Sequence, residues 1–484
     1  MFEGDPGRWV LHAVRSTDGH VTTWGSAKSA AEFSWSPASD RIVATYQPNA
    51  TLDWRRKALE LLDPATGSRT PLDTGPGAAW MPRLGPRGER VAYVASPGPA
   101  TWMRDAELRI LDLVTGAVTS LAPTPDRNID LVAWEPGGTA LLGLEYEGST
   151  RRLLSVPIDG GRPEYLGPDD RSFGDVHVSG NRIAFTSERW NEPSEVFVAD
   201  LRDMSVEQVS RVQRALPAQL GRTTTVRWDS QDGVEVEGIL TYPVGYREGT
   251  RVPLLVRLHG GPPFPASDGF LGGTFMTAYP LASLASAGFA ILQPNFRGSA
   301  GYGRAFRHGL HGDWGGQDFR DVVAGVEALV ARGIADPERL GVMGWSYGGY
   351  LGAWSITQDS RFASASVGAA ITDLAAFEET TNLGGMLADW FGGAVEQRAR
   401  KYRERSPLTH APHVRCPVLV QHGTDDPRVP LAQADGFVRA LERAGVAVDL
   451  QVYEGGHGPR RPSTELAVLQ QNLDWFCRTL AVVD

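Results

Sequence analysis

GWSYGGY, residues 344–350, is the stretch on which the reading of this chain turns. A serine with a glycine two positions to either side is the pattern of a sharp strand-to-helix turn that lifts a nucleophilic hydroxyl above a sheet edge. With 56 Gly in 484 residues the pattern can also arise by chance, so its surroundings decide. Upstream, RLGVM (339–343) reads as a buried strand; downstream, GGYLGAWSITQ (348–358) accommodates a helix. Gly344 and Gly348 allow a tight turn against neighbouring backbone. A helix N-terminus behind the serine favours developing negative charge. Ser346 is therefore a candidate nucleophile.

A serine hydroxyl needs a base, and the base needs an orienting acid. QHGTDDPRVP (421–430) follows the apolar strand CPVLV, and YEGGHGP (453–459) follows the strand-like VAVDLQVY. The order Ser, Asp, His is the one expected when all three lie at the carboxyl edge of one sheet. His457 is the candidate base. Asp425 and Asp426 compete as the acid, and the residues alone leave both open. LHGGPP (258–263) supplies a glycine turn after a strand, where a backbone N–H can face a reacting carbonyl oxygen. The residue after the nucleophile, Tyr347, offers a second N–H.

Outward from these motifs, residues from about Thr223 alternate apolar strands with amphipathic helices. TTTVRWDSQDGVEVEGILTYP (223–243) predicts two strands around an Asp-Gly turn. PLLVRLHG (253–260), GFAILQPNF (288–296), RLGVMGWS (339–346), ASASVGAAI (363–371) and CPVLVQHG (416–423) predict buried strands. DFRDVVAGVEALVARG (318–333) and ADGFVRALERAG (434–445) predict helices between them. Such alternation implies a mainly parallel, helix-covered sheet, and the GxSxG turn on it suggests an α/β-hydrolase fold.

The first ~215 residues follow another rule. FSWSPASDRIVATYQ (33–47), PRLGPRGERVAYVAS (82–96), VAWEPGGTALLGLEY (132–146) and VHVSGNRIAFTSE (176–188) each place a polar turn before a strand. Each is followed by a second strand–turn unit, such as ELRILDLVTGAVTSL. Pro37, Pro86 and Pro136 recur at spacings of 49 and 50 residues. Four short strands per period of this length predict β-propeller blades, in preference to a β-sandwich. WVLHAVRSTDGHVTTW (9–24) resembles half a blade, so a short propeller of about four to five blades is expected. The division is 1–215 for the propeller and 216–484 for the α/β-hydrolase domain.

Composition narrows the function. The net charge is −10, without a basic stripe, which argues against nucleic acid and anionic membrane surfaces as partners. The two cysteines, Cys416 and Cys477, provide neither a disulfide framework nor a thiolate metal cluster. The opening residues, MFEGDPGRWVLHAVRS, lack the apolar core of a signal peptide, so a cytoplasmic location is expected. No cofactor and no metal are called for.

HGGP, NFRGSAGYG (295–303), GWSYGGY, HGTDDPRVP and GGHG, in this order, resemble the prolyl oligopeptidase family of serine peptidases. The similarity is strongest to its acylaminoacyl-peptidase and dipeptidyl-aminopeptidase-like branch, and it spans nearly the whole chain. The resemblance implies nucleophile Ser346, base His457 and acid Asp426, the aspartate four residues after His422. It implies oxyanion N–H groups on Gly261 and Tyr347, and a substrate-carbonyl contact from Arg428. It also implies a propeller that caps the catalytic edge and admits short peptides. Departures bear on specificity. Where proline-selective relatives carry a Trp and a Tyr, AAITDLAAFEETTN (369–382) offers Leu374 and Phe377, which suggests a broad apolar pocket. No Glu-Glu pair occurs in residues 1–215, which argues against strict dipeptide release.

The expected function is hydrolysis of peptide bonds in short peptides through an acyl-enzyme, by an oligopeptidase or an aminopeptidase/acylaminoacyl-peptidase with apolar preference. The alternative is an esterase or amidase acting on a small acyl or amide substrate with the same residues. A catalytically dead scaffold would require a missing triad member, and none is missing. Homo-oligomerisation is compatible with the sequence.

Overall fold

The computed structural model describes residues 11–480, apart from 16, 25–28, 48–53, 104, 214–219 and 273–277. The expected division at 215/216 lies outside the described residues. The chain groups into two compact units. One comprises residues up to Glu147, Arg151–Ser187 and Glu195–Arg211; the other comprises Gly148–Thr150, Glu188–Ser194 and Val212 onward.

The first unit contains small sheets whose strands follow chain order. Ser29–Trp35, Ile42–Gln47, Ala58–Leu62 and Arg69–Pro71 form one; Ala79–Leu84, Arg90–Ala95, Glu107–Asp112 and Val118–Ser120 form the next. Asp130–Trp134, Ala140–Glu147, Thr150–Pro157 and Glu164–Leu166 form a third, and Ser172–Ser179, Arg182–Arg189, Glu192–Asp200 and Val206–Gln208 a fourth. The expected half-repeat is the antiparallel pair Leu11–Val14 and Val21–Trp24. Successive sheets share cores. Val43 and Leu59 pack with Leu84, Val91 and Tyr93 of the next sheet; Val94 and Ile110 pack with Leu131, Trp134 and Leu141. Leu142, Leu144 and Leu153 pack with Phe173, Ile183 and Phe185. Each repeat thus buries its apolar face against its neighbour, as repeat architectures require.

The second unit is built on one eight-stranded sheet. Its strands are β1 (Thr223–Asp229), β2 (Glu235–Thr241), β3 (Val252–Leu258), β4 (Ala290–Asn295), β5 (Ala335–Trp345), β6 (Phe362–Gly368), β7 (Val418–Gly423) and β8 (Val448–Tyr453). Their spatial order is β1-β2-β4-β3-β5-β6-β7-β8. β2 runs antiparallel to β1 and β4, and every pairing from β4 to β8 is parallel. The apolar runs of the sequence are these strands.

Alternation along the strands sends successive side chains to opposite faces. Leu255, Ile291, Met343 and Leu419 pack with Leu281 and Leu284 of helix α1 (Leu281–Ser286) and with Val468, Trp475 and Phe476 of helix α4 (Pro462–Thr479). On the opposite face, a Cβ added at Gly325 of helix α2 (Gln317–Ala331) would lie 3.3 Å from Leu292. One added at Gly352 of helix α3 (Tyr347–Gln358) would lie 3.3 Å from Val367. Helices therefore cover both faces. Among the described residues, no helix is long and apolar enough to cross a membrane, and Cys416 and Cys477 are free thiols.

Candidate active site

Parallel pairing brings the carboxyl ends of β3, β5, β7 and β8 to one sheet edge. The register pairs Leu258 with Gly344, Trp345 with Gly368, and Gly423 with Tyr453. The loops that leave this edge carry Gly261, Ser346, Asp426 and His457.

Ser346 joins β5 to α3 with φ 60° and ψ −120°, a positive-φ conformation uncommon for a residue with a side chain. The turn is held by close backbone packing. A Cβ at Gly344 would come within 2.2 Å of the Gly348 carbonyl oxygen, and one at Gly348 within 2.2 Å of the Leu258 oxygen. Both glycines of the motif are thus required by space. Gly348→Ala is expected to lower the thermal midpoint and destabilise the fold by about 1–3 kcal/mol, the usual cost of overpacking. An unchanged melting curve would mean that the turn tolerates a side chain.

The three side chains form a hydrogen-bonded chain. His457 Nδ1 lies 2.7 Å from Asp426 Oδ2, and His457 Nε2 lies 2.9 Å from Ser346 Oγ. Because a carboxylate only accepts, Nδ1 carries the proton and Nε2 is free to accept from the serine. Asp426 Oδ1 accepts from the backbone N–H groups of Arg428 (2.8 Å) and Val429 (3.0 Å). Burial alone would push the Asp426 carboxyl up. The hydrogen bond from His457, with the N–H groups of Val429 and Arg428, holds it below the ordinary range instead.

The choice between the two aspartates is geometric. Asp425 is exposed and accepts from Thr424 Oγ1 at 2.8 Å, whereas Asp426 is 5% exposed and faces His457. Two groups not singled out from the sequence support the chain. Trp345 Nε1 donates to the His457 carbonyl at 2.6 Å. His422 Nε2 donates to the Val429 carbonyl at 2.7 Å, and burial pushes its imidazole toward the neutral form.

The HGG turn lies against the nucleophile: a Cβ at Gly260 would be 3.7 Å from Ser346 Cβ. Gly261 has φ 121°, and a Cβ there would meet Pro263 N at 2.7 Å, so glycine is dictated. Tyr347 is the first residue of α3, and helix geometry leaves the N–H of that position without a partner inside the helix. The half-buried Arg428 lies in the loop that carries Asp426, and its backbone carbonyl accepts from Thr381 Oγ1 at 2.7 Å.

Leu374 and Phe377 correct the sequence expectation. Both lie in the short helix Leu374–Thr380 and are 0% exposed. That helix packs against Met386–Phe391 and Val395–Glu404. A side chain without accessible surface touches a substrate only if its cover moves, so these two residues belong to the core. Among the described residues, no cluster of three or more His, Cys, Asp or Glu could hold a metal ion.

Residues 275–482 match the family model described as the prolyl oligopeptidase family. The uncharacterized peptidase YuxL of Bacillus subtilis is 35% identical over 222 residues, which cover 46% of this chain and 33% of that protein. Dipeptidyl-peptidase 5 of Porphyromonas gingivalis is 23% identical over 465 residues, covering 93% of this chain and 67% of that protein. The chain thus spans between one third and two thirds of the length of these relatives. Among solved structures, the acylaminoacyl peptidase of Pyrococcus horikoshii superposes with a TM-score of 0.82 at 22% identity, over 100% of this chain and 78% of that one. A puromycin-hydrolyzing peptidase of Mycobacterium tuberculosis gives 0.79 at 24% identity, over 97% and 82%. These two likenesses are of fold. Through residues 275–482 the chain carries a domain of the prolyl oligopeptidase family.

Proposed function

We propose that this protein is a serine peptidase that hydrolyses short peptides through an acyl-enzyme. The observation that carries this reading is the hydrogen-bonded chain Asp426–His457–Ser346 at the sheet edge, beside the HGG turn. In it, Ser346 Oγ attacks the scissile carbonyl carbon while His457 Nε2 takes its proton, and Asp426 stabilises the imidazolium. The N–H groups of Gly261 and Tyr347 receive the resulting oxyanion. Collapse breaks the C–N bond, and the leaving amine takes the proton from His457. Water then attacks the acyl-serine, giving its proton to His457, which returns it to Ser346 as the acid product leaves. Arg428 is assigned to a substrate backbone carbonyl.

The domain reading belongs to the same proposal: residues 1–215 a short propeller of four to five blades, residues 216–484 the catalytic α/β-hydrolase domain, and a cytoplasmic location. Sheets that share cores with their sequence neighbours support the propeller. Relatives that are peptidases favour peptides over simple esters as substrates.

The family resemblance implies restricted access to the catalytic edge. A short chromogenic peptide is therefore expected to be cleaved at least tenfold faster per bond than casein, an order-of-magnitude expectation for a lid-gated site. Initial rates on the two substrates, and on a p-nitrophenyl ester, check this. Equal rates on peptide and casein would remove the size filter, and turnover of the ester alone would replace peptidase by esterase.

A further inference from the structure

The motif NFRGSAGYG has no place in the chemistry above, yet its first residues are heavily anchored. The Arg297 side chain binds Asp321 through Nε at 3.0 Å and Nη2 at 2.5 Å, and Asp232 through Nη1. The Arg297 backbone N–H also donates to Asp321 Oδ2 at 2.8 Å, and Ser230 Oγ donates to Asp321 Oδ1 at 2.6 Å. Asp321 is thereby fully saturated and buried.

Two residues beyond Arg297, Ser299 Oγ donates its one hydrogen to the Phe296 carbonyl at 2.7 Å. His259 Nε2 lies 2.8 Å from the same hydroxyl, and His259 Nδ1 lies 3.1 Å from the Gly260 carbonyl oxygen. The His259 ring also stacks on Phe296 with centroids 4.1 Å apart and planes inclined by 8°. His259 opens the HGG turn. So Asp321 holds Arg297, the loop after Arg297 holds His259, and His259 leads into Gly261.

One residue-triplet earlier on the same helix, Asp318 holds the other donor. Asp318 is 0% exposed. Its Oδ2 accepts from the Tyr347 hydroxyl and, at 3.1 Å, from the Gly315 N–H; its Oδ1 accepts from the Phe319 N–H at 2.8 Å. Trp314 packs edge-on against Tyr347 at 4.6 Å, and Phe296 lies 6.0 Å from it. Residues three apart on a helix share a face. Two buried carboxyls on one turn of α2 therefore grip the two segments that carry the assigned oxyanion donors.

We propose that Asp318 and Asp321 are positioning residues for the oxyanion hole: Asp318 fixes Tyr347, and Asp321, through Arg297 and Ser299, fixes the turn bearing Gly261. Burying a carboxylate is costly unless its partners are fully met, and neither aspartate touches Ser346 or His457. What each supports is a peptide N–H whose placement matters to catalysis, since an error of ~1 Å can cost ~10²-fold in rate. The proposal rests on the serine-peptidase reading.

The test uses variants that delete one hydroxyl and keep the backbone, Tyr347→Phe and Ser299→Ala, with Asp318→Asn. Active sites are titrated with a fluorophosphonate, so rates refer to folded, competent enzyme. Each hydroxyl deletion is expected to lower kcat about tenfold or more with KM changed less than about twofold, since losing a donor outright costs ~10²–10³. Affinity for a peptidyl boronic acid, which mimics the tetrahedral state, should fall by the same factor. Tyr347→Phe combined with Asp318→Asn should be no slower than the slower single variant, because both break one contact. Wild-type kcat in the variants, losses confined to KM, or additive effects in the double variant would overturn the proposal while wild-type labelling upholds the serine-peptidase reading. A wild-type enzyme that does not label at Ser346 would overturn both.

Discussion

Asp426→Asn is expected to lower kcat by about 10⁴ while leaving the fold intact. The reason lies in hydrogen-bond polarity. Asp426 Oδ2 fixes the proton of His457 on Nδ1 across 2.7 Å, which leaves Nε2 as an acceptor toward Ser346. An asparagine amide can donate at that position and so stabilise the opposite tautomer, which cannot take the serine proton. Asp425→Asn provides the internal comparison. Its carboxylate is exposed and bonds to Thr424, so a loss of less than about tenfold is expected, consistent with a surface change outside the catalytic unit. Steady-state rates on one chromogenic peptide check both. A larger loss in the Asp425 variant would move the acid to the neighbouring residue.

Ser346→Ala is expected to have the largest effect, a fall in kcat on the order of 10⁶. Alanine keeps a Cβ at φ 60°, so the variant retains the backbone strain of the turn and loses the nucleophile alone. The HGG turn and the helix start remain, so residual turnover above the uncatalysed rate by ~10³–10⁴ is expected from binding and oxyanion contacts. Single-turnover measurements at high enzyme concentration read that residue. Retention of more than about one thousandth of wild-type kcat would mean that another group attacks.

Much of the architecture was legible because the relevant signals are local. Apolar runs such as LLV at 254–256 and VLV at 418–420 are buried strands, since a parallel sheet covered on both faces leaves no polar alternation. The proline-marked turns of the first unit were equally readable, because each repeat places its own turn before its own strand. The Ser–Asp–His order was legible for the same reason, each residue following its own strand.

What was not legible depends on packing between distant segments. Asp425 and Asp426 differ by one position, and which one faces His457 is decided by the ties between the β7 and β8 loops. Asp425 N–H bonds to the Gly455 carbonyl and Thr424 N–H to the Tyr453 carbonyl. Leu374 and Phe377 occupy a segment that offered apolar side chains after β6. Their complete burial follows from two helices that pack over them, which no local pattern announces. Asp318 and Asp321 fall near the start of a segment that reads simply as a helix, and nothing local marks them out. Their partners, Tyr347 and Arg297, are 29 and 24 residues away in the chain. Trp345 hid within an apolar strand, although its indole N–H reaches a carbonyl 112 residues later.

The central claim is that Ser346, activated by His457, forms a covalent acyl intermediate. The most direct measurement is mass spectrometry of the protein after reaction with a fluorophosphonate, followed by proteolysis and mapping of the adduct. The expected result is one adduct per chain on the peptide containing Ser346, with labelling abolished in Ser346→Ala and slowed about 10³-fold or more in His457→Ala, as loss of the general base requires. An adduct on any other residue, or a His457→Ala variant that labels at the wild-type rate, would contradict it.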